Sequence, residues 1–246
     1  MIAVRWGMLL VAVLLMSSAF GATAPDLQPS AQRVAVTTIV GLLAPLFWPG
    51  VAASVKRTAM RITGWSAAAS CVAAIVIRVL GHPGQPLSGL LGTCAMLMSI
   101  LILAHTMAAA LEARWRDPSG RADDARETAG CSVMLVLALL GALPLWFGPV
   151  SELLSVQHEW AIDAALGLSP LTHLAVASGN DLLHNEWLYQ HANLAALPVS
   201  YPDPIQLVWF YVTVCSMLAL GAFASARRRR ASNDPAHPDL TKEKPR

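Results

Sequence analysis

Hydrophobic positions in this chain are massed rather than spaced. Long apolar runs alternate with short stretches of Pro, Gly and charge. A helix needs ~20 predominantly apolar residues to cross ~30 Å of hydrocarbon. Residues 4–22, 34–54, 63–81, 88–112, 129–149 and 206–226 meet or approach that length. Lipid offers backbone N–H and C=O groups no partner, and the strict alternation of a barrel strand is missing, so every run is expected to be helical. The expected fold is all-α: a polytopic integral membrane helix bundle with about six transmembrane helices, forming one domain over residues 1–226. Trp6, Trp48, Trp65, Trp115, Trp146 and Trp209 fall near span ends, where indole rings favour the headgroup region. Pro45 and Pro49 in the second span, and Pro144 and Pro149 in the fifth, each free a backbone carbonyl and can kink a helix.

Residues 150–205, between the last two spans, have a different pattern. Ser169-Pro170 reads as an N-cap followed by proline at the first helical position, opening a short helix through Leu171–Val176. Gly179 is placed to stop it, and Asn180 or Asp181 to cap a further helix over Leu182–Leu188. Upstream, Glu152–Leu166 reads as another helix. These pieces are too short to span and too apolar to float free, so they are expected to lie on, or dip into, the outer membrane face over the bundle. Residues 227–246 read as a basic tail too poor in apolar residues to fold alone.

Composition agrees with the pattern: the chain is 55% hydrophobic and only 13% charged, with mean hydropathy +0.53. A soluble domain is nearer a quarter charged. Charge adds a direction. No Lys or Arg occurs between Arg126 and Arg227, and that gap ends in four consecutive arginines. Cytoplasmic loops accumulate Lys and Arg, so the base-free segment belongs on the far side of the membrane. With both termini inside, all 17 bases except Arg33 and Arg78 lie on the cytoplasmic side. The expected location is the cell (inner) membrane, multi-pass. The first span has two readings, a retained anchor or a secretory signal cleaved near Ala22-Thr23-Ala24, and either leaves the other spans oriented as stated. The four cysteines fall within spans and imply no extracytoplasmic disulfide framework.

Catalytic signatures are missing from the sequence. It has no G-x-x-x-x-G-K-[ST], H-E-x-x-H, C-x-x-C or G-x-S-x-G, so it is not expected to be an enzyme, nor to carry its own P-loop or a cofactor. The arginine run follows a span directly and reads as a stop-transfer and lipid anchor rather than a nucleic-acid site. His158, His173, His184 and His191, with Glu186, are the candidate metal ligands, because His and carboxylate suit zinc, copper or non-haem iron. Their spacing is not that of a metal helix, and helix-capping or interfacial roles compete. His105, at membrane depth, is expected to be neutral and bonded to a neighbouring helix, for example to the Thr213 hydroxyl. Glu112 is expected to reach water beside Arg116.

Six spans with both termini inside and a large helical segment before the last span resemble the type-2 permeases of ATP-binding-cassette exporters. Leu168-Ser169-Pro170-Leu171-Thr172-His173-Leu174 is similar to the Asn-Pro or Ser-Pro turn common in that region of the family. In the family the inner loop after the second span often carries a charged stretch with a Gly-Thr-Leu-Glu-like core; here Val55–Arg61 is basic and has no acid. The resemblance implies short re-entrant helices on the outer face and a separate ATPase subunit in trans. Lys56, Arg57, Arg61, Arg114 and Arg116 are the candidates for docking it. The other expected partners are the bilayer and further copies or subunits in a homo- or hetero-oligomer. Two alternatives stand beside the permease reading. One is a non-transporting scaffold or assembly factor that grips an extracytoplasmic partner through Trp160, Trp187 and Tyr189. The other is a metal- or haem-handling membrane protein using the outer histidines.

Overall fold

The computed structural model describes residues 7–16, 29–52, 54–80, 87–115, 122–144, 159–180 and 203–233. All regular structure among them is helical. In chain order the helices are α1 (Gly7–Met16), α2 (Pro29–Leu43), α3 (Val55–Leu80), α4 (Leu87–Trp115), α5 (Ala122–Gly141), α6 (Glu159–Leu168), α7 (Pro170–Ser178) and α8 (Pro204–Asn233). Among the described residues, three segments are long and apolar enough to cross a membrane: Ser30–Phe47, Val55–Val79 and Gly89–Trp115. Gly7–Met16 and Ile205–Gly221 are shorter apolar helices.

Helix α4 is the central post. It is apolar on every side, and it packs against α2, α3, α5, α7 and α8. A helix without a polar face is at home only in a bundle interior or a membrane. Leu97, Leu101, Ala104 and Ala108 form a fully buried stripe at i, i+4, i+7 and i+11. On α3, Ala69 and Ala73 are likewise fully buried, and small side chains of this kind let two backbones approach.

The second span departs from its expected course. Helix α2 stops at Leu43, and a 3-10 turn follows over Ala44–Phe47, with Pro45 near its start. Proline has no N–H to donate and disfavours helical geometry in the residue before it, so the α-helix cannot continue. Residues 48–52 then run without regular structure to the turn before α3. Gly130 of α5 fits against this irregular stretch. A Cβ at residue 130 would sit 2.6 Å from the Pro45 carbonyl oxygen, so only glycine permits the approach.

Helix α7 is nine residues long, about 13 Å at the usual helical rise, and cannot span a bilayer. It nevertheless sits inside the bundle, against α2, α4, α5 and α8. Its caps are those the sequence implies. Ser169 accepts from Thr172 N, Pro170 opens the helix, and Gly179 closes it at φ 69°. Upstream, α6 begins at Glu159 among the described residues. The expected helix over 182–188 lies outside them.

Candidate functional site

Two groups of buried polar side chains stand at opposite ends of the bundle. The first seats α7. At its start, Ser169 Oγ donates to the Gly141 carbonyl at the end of α5, 3.3 Å away. At its end, Arg33 Nη2 of α2 donates to the Ser178 carbonyl at 2.7 Å, while the Thr93 hydroxyl of α4 donates to the Gly89 carbonyl of its own helix at 2.7 Å. The last carbonyls of a helix have no internal partner, so Ser169 and Arg33 satisfy groups that would otherwise be stranded. Gly89 of α4 faces the Arg33 guanidinium, with room for no more than ordinary contact.

His173 fixes the middle of α7. Its ring is fully buried, Nε2 lies 3.0 Å from the Gly167 carbonyl and Nδ1 lies 2.6 Å from the Tyr211 hydroxyl of α8. A carbonyl only accepts, so Nε2 carries the proton and the tyrosine donates to Nδ1. Burial pushes the imidazole down from its usual 6.5 to about 4, so the ring is neutral at physiological pH. The Tyr211 ring meets it edge-on, with centroids 5.5 Å apart.

The second group lies at the other end of α4. Glu112 is 1% exposed. Its Oε2 accepts from the Trp48 indole N–H at 3.1 Å and from the Val51 backbone N–H at 3.0 Å. One carboxylate oxygen therefore pins the irregular stretch that follows α2. Gly50 sits beneath the carboxylate at φ 86°, a conformation open to few other residues, and a Cβ there would meet Arg126 Cδ at 3.0 Å. Arg61 Nη1 donates to the carbonyls of Gly50 and Val51, at 3.1 and 3.3 Å. Deeper along α4, His105 stacks on the other face of this assembly: its ring lies 5.3 Å from Trp48, at 20° between planes. Ser66 Oγ of α3 and His105 Nδ1 share a hydrogen bond of 2.9 Å. Trp65 Nε1 donates to the Ala44 carbonyl at 3.4 Å, satisfying an acceptor at the break in α2.

Two expectations and one named partner are corrected here. Glu112 does not reach water beside Arg116; it is buried, because two donors from the 48–52 stretch close over it. His105 is bonded to a neighbouring helix as expected, but through Ser66 of α3, while Thr213 is exposed on α8. Trp48 and Trp65 are not headgroup anchors but core residues, 1% and 4% exposed. Trp115 and Trp209, at 43% and 66%, are exposed near helix ends as expected.

Of the docking candidates, Lys56, Arg57, Arg61 and Arg114 are exposed and share the Glu112 end; Arg116 lies outside the described residues. Among the outer-segment candidates, Trp160 falls in α6, whereas Trp187 and Tyr189 lie outside the described residues, as do His158, His184, Glu186 and His191. His173 is the one candidate ligand described, and both its ring nitrogens are engaged within the protein. Among the described residues no group of three or more His, Cys, Asp or Glu side chains is arranged to hold a metal.

Searches against protein-family models, curated proteins and solved structures find no match to this chain.

Proposed function

We propose that the chain is the membrane subunit of a transporter energised by a separate ATPase, as in the type-2 permeases of ATP-binding-cassette exporters. It crosses the inner membrane six times, with both termini in the cytoplasm, and works as a homo- or hetero-oligomer. The observation that carries this reading is α7. A nine-residue helix too short to span is inserted among α2, α4, α5 and α8, with a part-buried hydrogen bond at its start and a buried one at its end. This is how a re-entrant segment behaves: non-spanning backbone is tolerated at membrane depth only when protein buries it.

The distribution of charge supports the orientation. Lys56, Arg57, Arg61 and Arg114 are exposed at the Glu112 end, opposite the Arg33 end from which α7 is held. The basic end is therefore cytoplasmic and α7 enters from the far side. The exposed bases flank a stretch held rigid by Glu112 and Arg61, which suits a docking surface for an ATPase with an acidic rim.

Purification of the tagged full-length chain in mild detergent tests the proposal. Recovery of an ATPase subunit is expected, and reversing the charge of Lys56 and Arg57 together should release it. If no ATPase is captured under conditions that keep the chain oligomeric, the permease reading fails.

A further inference from the structure

Helices α2, α3 and α4 meet at the break after Leu43, and the hydrogen bonding there is incomplete. Ala44 is fully buried. The donor that reaches its carbonyl from α3, the Trp65 indole N–H, stands 3.4 Å away. That is longer than the roughly 2.7–3.2 Å usual for N–H to oxygen. From α4 the His105 ring also comes up against the Ala44 backbone. Yet His105 Nε2 is buried and has no hydrogen-bond partner among the described residues.

The neighbouring hydroxyl decides where the ring proton lies. Thr63 and Ser70 of α3 return their hydroxyls to the carbonyl one turn back, the common habit of helical Ser and Thr. Ser66 bonds His105 Nδ1 instead, at 2.9 Å. Nδ1 takes the Ser66 hydrogen, so a neutral ring carries its own on Nε2. A buried N–H without an acceptor is costly, and the ring, fully buried, is out of reach of solvent. Ser66 holds one edge of the imidazole and Trp48 covers a face. The acceptor left beside the ring is the Ala44 carbonyl.

We propose that the break in α2 is a two-position hinge, in which the Ala44 carbonyl passes between the Trp65 indole of α3 and the His105 imidazole of α4. Each position satisfies one buried N–H and leaves the other short of a good bond, so the two lie close in energy. Packed interiors move between discrete arrangements of this kind rather than deforming smoothly. The carbonyl is the part that moves, because the stack on Trp48 and the bond to Ser66 hold the imidazole in place. Pro45 has already interrupted the helical ladder at this point, so a pivot breaks no regular α-helical bond. The ends on either side stay tied, Arg33 to Ser178 and the 48–52 stretch to Glu112. None of this requires an ATPase, and the hinge stands or falls separately from the permease reading.

The test is nuclear magnetic resonance on the full-length chain in mild detergent, with isotopic nitrogen in the tryptophan indoles and histidine rings. The signals lost in Trp65→Phe and in His105→Phe assign the two N–H groups. Relaxation dispersion, which reports exchange on the microsecond-to-millisecond scale, should show both groups exchanging at one common rate. Their two positions should differ in population by no more than about fivefold, the worth of one neutral hydrogen bond. His105→Phe keeps a ring against Trp48 and removes one donor, so the Trp65 indole should stop exchanging. Trp65→Phe removes the other, so the His105 Nε2–H should stop exchanging and move downfield as it settles on Ala44. Each variant decides alone should the other not assemble. Flat dispersion at both groups in the wild-type chain overturns the proposal. So does a ring proton found on Nδ1, or Trp65 exchange that persists unchanged in His105→Phe.

Discussion

Glu112 offers the sharpest perturbation, because one oxygen satisfies a buried donor and a part-buried one. Glu112→Ala strands the Trp48 indole N–H and the Val51 N–H, now 3.1 and 3.0 Å from that oxygen, in a site only 1% exposed. Each orphaned buried donor costs about 1–3 kcal/mol, so the pair should destabilise the chain by about 2–4 kcal/mol after partial relaxation. For a domain of this size that is a fall in Tm of roughly 5–15 °C. Glu112→Gln keeps an acceptor in place and should lose less than half as much. The assay is a thermal melt in mild detergent, followed by near-ultraviolet circular dichroism. A double-mutant cycle isolates the contact. In a Trp48→Phe background one donor is already gone, so Glu112→Ala should cost about 1 kcal/mol less than it does alone. Equal melts for the Ala and Gln variants, or strict additivity with Trp48→Phe, would refute the claim that this oxygen pins the stretch.

Gly130→Ala drives a methyl to 2.6 Å from the Pro45 carbonyl oxygen and should cost about 1–3 kcal/mol, whereas Gly64→Ala, with nothing within 4 Å, should melt at or above wild type. His173 predicts a pH dependence. Its folded pKa is depressed to about 4, so the unfolded chain binds the proton first. Stability is complete above pH ~6.5 and falls as pH drops toward about 4, by on the order of 3 kcal/mol. His173→Gln should flatten that part of the pH–melting profile; an unchanged slope would show that other groups carry it. The proposed orientation predicts that a fluorescent-protein fusion after Arg246 glows while an alkaline phosphatase inserted in residues 181–202 is active, and the opposite pair of results would invert the topology.

The parts of this structure legible in the sequence are those with local chemistry. The caps of α7 are set by Ser169, Pro170 and Gly179, each acting within a few residues of itself, and that helix begins and ends where those residues imply. Helical character follows from apolar run length alone. The Glu112 cluster is different. Trp48 and Glu112 are 64 positions apart, and Ser66 and His105 are 39 apart. In helices with no clear polar face the hydropathy pattern does not say which face meets which neighbour, so neither pairing could be read. A tryptophan near a span end is equally suited to headgroups and to a core. The break after Leu43 decided between them for Trp48, by turning the chain back under α4. Pro45 and Pro49 were a visible signal of that break; its consequence for Glu112 was not.

The two polar groups act on the same helix. At one end α2 is tied to α7 through Arg33 and Ser178, and at the other the stretch following it is tied to α4 through Trp48, Val51 and Glu112. A helix fixed at both ends resists sliding, and α7 is fixed likewise, its start by Ser169 on Gly141, its centre by His173 on Tyr211 and its end by Arg33 on Ser178. Removing the Arg33 bond to Ser178 should therefore loosen α7 while the Trp48–Glu112 contact persists. Hydrogen exchange would show this as faster exchange at Thr172–Ser178 in Arg33→Met, with the amide of Val51 still protected.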